Sequence, residues 1–360
     1  MRVDFAACEH HFADHLAPIW HALHPDERGT WHAATEEMAV YAAQLGVDAQ
    51  VSPAALRTAD PLLIASYGDM RRLTVASRGT RPGGKPGART SGMTLGRLLR
   101  PVAFLEHGAG QTYVGVTSPS YSGGSRRGSV GLYLAPGRRV AEMNTAAYPA
   151  STTAVVGCPK LDAAHAAPQR RRGPSPVVAV SFHWDAIQVA PEAVSAFEHY
   201  RAELTRLAAL TVDVRGFELI GHAHPKRWAD LSKWWASIGV EPVQHFADVV
   251  DRADVYCVDN SSTLYEFASL DRPVVAMNAP WYRRDVEHGL RFWSHAQVGV
   301  TVNLPAGLGP GIAAAIADRP ATAAARRRIV ADVYDRCDGG AAGRAADALR
   351  RWSTAAASTS

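Results

Sequence analysis

Four cysteines in 360 residues, Cys8, Cys158, Cys257 and Cys337, are too few and too far apart for a disulfide framework, and no C-x-x-C pair begins a zinc knuckle. A reducing compartment is the expected setting, and at least two of the four fall in apolar runs where a small thiol fills core. No run approaches the roughly 18 apolar residues of a membrane span. The opening MRVDFAACEHHFADH likewise has no apolar stretch of the secretory kind. The expectation is a soluble, cytoplasmic protein with at most peripheral membrane contact. Lysine is scarce, so the formal charge of +4 is carried almost wholly by arginine. Guanidinium suits bidentate phosphate binding, but arginine and alanine are abundant throughout, which reads first as compositional bias. Basic residues are not interleaved with aromatics, and Arg170-Arg171-Arg172 before Pro174 and Pro176 looks like a solvated linker. No nucleic-acid partner is expected.

Several catalytic signatures are missing as well. There is no G-x-S-x-G elbow, which argues against a serine hydrolase. The histidine-rich start places His11 and His15 at i,i+4, but no H-E-x-x-H is present and Pro18 should interrupt the helix, so no metal site and no cofactor are expected. Gly79-x-x-x-x-Gly84-Lys85 opens like a P-loop. Pro86 stands where a Mg²⁺-binding Ser or Thr is needed, no strand abuts it and no helix follows, so that reading is rejected. The surrounding segment 78–100 reads as a loop.

What is present is an ordinary globular balance, 47% hydrophobic and 20% charged, in a chain long enough for two domains. In the C-terminal half, apolar runs occur at 176–182, 216–222, 240–246, 254–259, 273–278 and 299–304. They alternate with helical patterns at 191–210, 226–238, 246–253, 262–271 and 307–318. Apolar strands alternating with helices indicate a parallel sheet covered on both faces, a Rossmann-like domain. The N-terminal half predicts helices over 6–24 and 30–46 and strands over 61–66, 100–107, 129–135 and 152–157, a second α/β layer structure. DAAHAAPQRRRGPSP (162–176) has linker composition. The expected organisation is an N-terminal α/β domain 1–165, a C-terminal Rossmann-like domain 175–338, and a helix and tail 339–360 that packs back on the first. Two such α/β halves would face a cleft, with ligands at the carboxyl ends of the strands.

Three segments at predicted strand ends carry candidate chemistry. In YCVDNSSTLYEF the strand ends at Asp259, and Ser261, Ser262 and Thr263 lead into a helix. There, unpaired N–H groups and hydroxyls favour an anion, and Glu266 one turn on could accept from a ribose. The same residues admit a plainer reading, because Thr263 with Glu266 satisfies a capping box. In FELIGHAHPKRW, His222 and His224 alternate on an extended segment and should point to one side, before Pro225 opens a helix. Either could donate to phosphate, or be a hydrogen-bonded turn residue. In FLEHGAGQTY, a strand delivers Glu106 and His107 to its end, where histidine is a natural general base and the glycines Gly108 and Gly110 leave room for a ligand. A solvent-facing turn histidine is the alternative.

With EHGAGQTY, SFHWDAIQVAPEAVSAFEHY, GHAHP and DNSSTLYEFASLDRPVVAMNAPWYRR in view, the chain from about 100 to 295 resembles the CDP-glycerol glycerophosphotransferase family. More widely it resembles GT-B nucleotide-sugar enzymes, including UDP-N-acetylglucosamine 2-epimerases. The resemblance implies a GT-B type α/β fold and a base at His107 that deprotonates an acceptor hydroxyl. It also implies a donor diphosphate held by His224, Ser261 and Ser262, with Glu266 near the ribose, which makes the first domain the acceptor side and the second the donor side. Glu106 and Ala109 stand where the family usually has tryptophan and threonine, and His222 is not a general family feature. The expected activity is transfer of a glycerophosphate or glycosyl group from a nucleoside diphosphate-linked donor, CDP-glycerol favoured, to a glycerol-phosphate, glycan or other hydroxyl acceptor. The donor would sit against His222, His224, Asp259, Ser261, Ser262, Thr263 and Glu266. Two rivals use the same cleft: a 2-epimerase-like isomerase drawing on Glu106 and Asp185, and a non-catalytic nucleotide-binding module.

Overall fold

The computed structural model describes residues 2–51, 60–66, 100–107, 128–168, 173–185, 194–282 and 298–358. The described residues fall into two compact units. The first gathers the chain up to His107, residues 128–162 and everything from Asp338 on; the second is Ala163–Cys337.

In the first unit, strands β1 (Val3–Ala7), β2 (Arg28–Ala33), β3 (Ala49–Val51), β4 (Leu62–Ile64), β5 (Val102–Leu105), β6 (Leu132–Ala135) and β7 (Thr152–Val155) line up as β3-β2-β1-β4-β5-β6-β7. In the second, β8 (Val177–Phe182), β9 (Glu218–Ala223), β10 (Glu241–Pro242), β11 (Val255–Val258), β12 (Val274–Met277) and β13 (Val300–Val302) line up as β10-β9-β8-β11-β12-β13. All of these pairings are parallel. The central strands are buried along their whole length, which is why they read as unbroken apolar runs. Each sheet reverses strand order once, between β1 and β4 and between β8 and β11, and such switch points are where ligands enter open α/β sheets.

Several elements differ from the sequence expectation. The predicted helix over 6–24 is a strand, Val3–Ala7, then a helix, His10–Ala22; that over 30–46 is likewise β2 followed by the helix Glu36–Gln44. Pro18 lies inside His10–Ala22 without ending it. A proline there forfeits one backbone bond, and burial of Leu16, Ile19 and Trp20 on either side offsets the loss. The strand expected over 240–246 shrinks to Glu241–Pro242, since Pro242 has no N–H to continue the ladder. Within the linker-like stretch, Asp162–Ala166 is helical.

The first core is built on Phe5, whose ring stacks on Trp31 at 5.4 Å and meets Trp20 edge-on at 5.2 Å. At the amino ends of its strands, Arg100 donates to the Asp4 carboxylate at 2.7 Å, with both side chains 2% exposed. The C-terminal helix Ala341–Ser358 belongs to this unit. Asp162 accepts from the N–H groups of Ala341 and Ala342, and Trp352 packs where a Cβ on Gly131 would lie 2.7 Å from its ring. Arg350 donates to both oxygens of Glu27, a bond that holds the Glu27 carboxyl at about 2 against its ordinary 4.5. A depressed carboxyl adds stability above its unfolded pKa and loses it as pH falls toward the folded one. The urea midpoint gap between wild type and Arg350→Met is therefore expected to shrink from pH 6 to pH 3. The effect is small, because the pair is partly solvated.

In the second unit Gly221 lies within β9 directly beneath Trp235, and a Cβ there would sit 2.3 Å from the indole. Trp235 is fully buried and donates to the carbonyl of His222 at 3.3 Å, so this contact seats the helix Pro225–Ser237 on the sheet. Gly221→Ala is expected to cost about 1–3 kcal/mol by overpacking, read as a lower urea midpoint with unchanged slope. Further along, Asp271 (φ 55°) and Asp318 (φ 38°) take left-handed backbone at the ends of two helices. Both carboxylates accept from Arg326 of the helix Pro320–Val333, itself 1% exposed. One guanidinium thus holds two helix ends together.

Candidate functional site

In the second unit the strand register brings Phe182 beside Ala223 and Val258 beside Ser181. The residues that follow, His183, His224 and Asp259, therefore emerge along one carboxyl edge around the switch point. Asp259 is 2% exposed, and its oxygens accept from the main-chain N–H of His183 at 2.7 Å, the N–H of Ala196 at 2.9 Å and the Ser195 hydroxyl at 3.0 Å. Burial raises its pKa and these donors oppose the rise. Asp259 was expected at the donor; it is instead engaged in tying the end of β11 to the end of β8 and to the start of the helix Phe197–Ala208. Ser195 N–H in turn donates to Asp185, whose second oxygen accepts from Arg227 at 2.7 Å.

His222 also differs from expectation. It does not share an exposed side with His224: it is buried, with Nδ1 2.7 Å from the Ser181 hydroxyl. A separate polar chain lies further along the edge, where the Tyr256 hydroxyl is 2.9 Å from Thr263 Oγ1. Thr263 Oγ1 donates to Ser261 Oγ at 2.8 Å. Burial pushes the Tyr256 phenol upward, so it stays protonated as a link in this chain.

The capping box does not form. The N-cap of the helix Thr263–Ala268 is Ser262, in right-handed helical conformation, and its side chain makes no capping bond. Thr263 is the first helical residue, its N–H directed at Ser261 Oγ at 3.3 Å. The helix is only six residues long, so its dipole adds less than the hydroxyls do. Ser261, Ser262 and Thr263 are partly exposed, whereas Glu266 is 2% exposed, beneath the surface where a ribose contact was expected.

His224 caps the helix Pro225–Ser237, its Nδ1 accepting from Lys226 N–H at 3.2 Å. That leaves the ring proton on Nε2, a donor. Its ring meets that of His183 edge-on at 5.0 Å, and Trp184 stands 6.1 Å away with the Lys226 ammonium 4.3 Å over its face. His183 and Trp184 had not been singled out as site residues. The signal was available: they follow the run 176–182 as His224 and Asp259 follow theirs.

In the first unit His107 follows β5, and its ring stands edge-on to Phe12 at 4.7 Å, with His15 and His11 at 6.2 and 6.4 Å. Burial, reinforced by Lys160 and His107, pushes the His15 imidazole well down, so it is neutral at pH 7. Glu106, buried, accepts from Asn144 at 3.0 Å, on the far side of the strand from its neighbour. Across the switch point the Cys8 thiol approaches the Ser66 hydroxyl at 3.8 Å. Among the described residues no group of His, Cys, Asp or Glu could hold a metal ion, and no helix is long and apolar enough to cross a membrane. Gly108, Gly110, the 78–99 stretch and Arg170–Arg172 lie outside the described residues.

A polar cavity of about 440 Å³ occupies the opposite edge, at the amino ends of β11 and β12, lined by Asp254, Asp271, Arg272, Asp318, Arg326 and Arg327 among others. Its arginines and carboxylates are bonded to one another or to backbone, which marks it as part of the helix clamp.

No family model matches the sequence, and no curated protein matches it. Solved structures do, along nearly the whole chain. One is the UDP-GlcNAc 2-epimerase of Neisseria meningitidis bound to UDP-GlcNAc, with TM-score 0.56 and 13% identity over 98% of this chain and 100% of that one. Another is the S. aureus MnaA–UDP complex, at 0.60 and 13% over 98% and 96%. A third is the wall teichoic acid polymerase TagF, at 0.56 and 12% over 99% and 90%. At such identities the likeness establishes the fold: this is an α/β protein of GT-B type, with two Rossmann-like parallel sheets of seven and six strands.

Proposed function

We propose that this protein is a transferase that binds a nucleoside diphosphate-linked donor at the carboxyl edge of the second unit and passes a glycerophosphate or glycosyl group to an acceptor hydroxyl. The observation that carries the reading is that His224, with an Nε2–H donor, and the hydroxyls of Ser261, Ser262 and Thr263 follow β9 and β11, the strands on either side of β8, at one carboxyl edge. These groups would bear the diphosphate, while buried Asp259, His222 and Glu266 support the edge from within.

With CDP-glycerol, the favoured donor, the acceptor oxygen bonds to the glycerol-bearing phosphorus as the bond to CMP breaks. The acceptor proton goes to His107, and His224 and the hydroxyls meet the charge on the departing CMP. With a nucleotide sugar, attack falls on the anomeric carbon and the nucleoside diphosphate leaves. A 2-epimerase-like isomerase would share the donor site, and the structural neighbours include both kinds of enzyme. Against it, the carboxylates it would draw on are engaged, Glu106 by Asn144 and Asp185 by Arg227.

Incubation with CDP-glycerol and a glycerol-phosphate acceptor, and separately with UDP-GlcNAc, distinguishes the readings. The transferase releases CMP in proportion to acceptor. Conversion of UDP-GlcNAc to its 2-epimer would make the isomerase reading correct, and binding of either ligand with no product would leave a nucleotide-binding module.

A further inference from the structure

Hydrogen-bond direction among the hydroxyls after β11 is set from inside the sheet. Tyr256, fully buried in that strand, places its hydroxyl 2.9 Å from Thr263 Oγ1. Thr263 has one hydroxyl proton and gives it to Ser261 Oγ at 2.8 Å, so the first bond runs from the phenol to the threonine. Ser261 Oγ then accepts twice, from the Thr263 hydroxyl and, at 3.3 Å, from the Thr263 N–H. Both of its lone pairs are taken, and its own proton is what it has left to offer. Resting on the donor reading above, we propose that Tyr256 is a positioning residue for the diphosphate: through Thr263 it fixes the Ser261 hydroxyl as a donor to a phosphate oxygen.

The direction matters because hydroxyls turn. Without the phenol, Thr263 Oγ1 has both lone pairs open, and the Ser261 proton can swing inward onto it and away from the phosphate. A phenol is also more acidic than an aliphatic hydroxyl, so with Tyr256 at the closed end each later hydroxyl is polarised toward donation. Thr263 serves the phosphate through Ser261, since its hydroxyl proton is spent there. A second observation at this edge points to a ligand. Asn260, the residue before Ser261, is 6% exposed, and among the described residues nothing hydrogen-bonds its side-chain amide. An amide so nearly buried is normally hydrogen-bonded, and ligand oxygens seated beside Ser261 would satisfy its N–H groups.

The test is a double-mutant cycle on affinity, read by isothermal titration with CDP-glycerol and with UDP-GlcNAc at pH 7.5. Ser261→Ala removes a bond to a charged oxygen and is expected to weaken binding by about tenfold or more. Tyr256→Phe touches no ligand, yet is expected to weaken binding by about two- to tenfold. In the Ser261→Ala background the same change is expected to cost nothing further. Thr263→Val cuts the link from the other side and serves where Tyr256→Phe does not fold: it too should weaken binding only while Ser261 is present. Unchanged affinity in Ser261→Ala or in Tyr256→Phe overturns the inference while the donor reading stands. So does an equal loss from Tyr256→Phe in both backgrounds, the mark of a merely structural tyrosine. Failure of both ligands to bind wild type overturns the donor reading and this inference with it.

Discussion

Replacing His107 with alanine is expected to lower turnover by about 10²–10⁴-fold, the usual contribution of a positioned general base. Nucleotide affinity should change less than about twofold, because the groups proposed to hold the donor lie in the other unit. The setting suits a base. Phe12 limits the ring's tilt from one side, and the adjoining His15 is neutral, so no fixed positive charge from that residue drives the proton off. Loss of the ring also leaves space against Phe12, so His107→Gln provides the control. It keeps most of the volume and should lose nearly as much turnover while melting near wild type. Equal falls in turnover and nucleotide affinity would mean that His107 serves the fold or the donor site, and not the acceptor proton.

The largest expected effect on stability is at Arg326. Replacement by methionine keeps apolar bulk but removes the guanidinium that satisfies both Asp271 and Asp318. Breaking a buried pair from one side costs about 3–5 kcal/mol, chiefly from the charges left behind. The two carboxylates are 27% and 19% exposed, which places the expected loss near the lower end. Both aspartates also occupy backbone conformations that side chains rarely adopt, held there by this same residue. The triple variant Arg326→Met, Asp271→Asn, Asp318→Asn should recover part of the loss, since no buried charge is then stranded. Urea unfolding of the three proteins decides it. Equal stability of wild type and Arg326→Met would show that the clamp adds nothing net.

How much of this was legible in the sequence depended on how apolar runs were bounded. In the second half, Pro176, Pro225 and Pro273 and the polar strand ends punctuate each run, and β8, β9, β11, β12 and their helices fell where the pattern put them. In the first half, VDFAA runs into CEHHFADHL with no such break, so alanines that serve a buried strand looked like the start of a helix. Pro18 misled in the opposite direction, because tertiary packing can carry a helix through a proline.

At the carboxyl edge of the second sheet, the strand-end rule drew attention to His224, Asp259 and the 261–263 cluster, but sequence cannot tell which polar side chains face outward. His222 and Asp259 turned inward because main-chain donors and Ser181 were waiting there. His183 was overlooked although it follows the run 176–182 as His224 follows its own; its ring meets that of His224, 41 positions away. The capping-box pattern at Thr263 and Glu266 was a correct motif match with the wrong N-cap: the helix begins one residue earlier than the box requires.

Nucleotide-dependent melting is the most direct measurement. Wild type and the His224→Ala, Ser262→Ala double variant would be heated with CMP, CDP-glycerol, UDP, GDP and UDP-GlcNAc in turn. A ligand at about 100 times its dissociation constant adds about 2.7 kcal/mol of stability. At least one nucleotide is expected to raise the melting temperature of wild type, and the double variant should lose most of that rise, measured from its own ligand-free melting temperature, which loss of the His224 cap lowers. No shift with any nucleotide, or the same shift in both proteins, would contradict a diphosphate site at the ends of β8, β9 and β11.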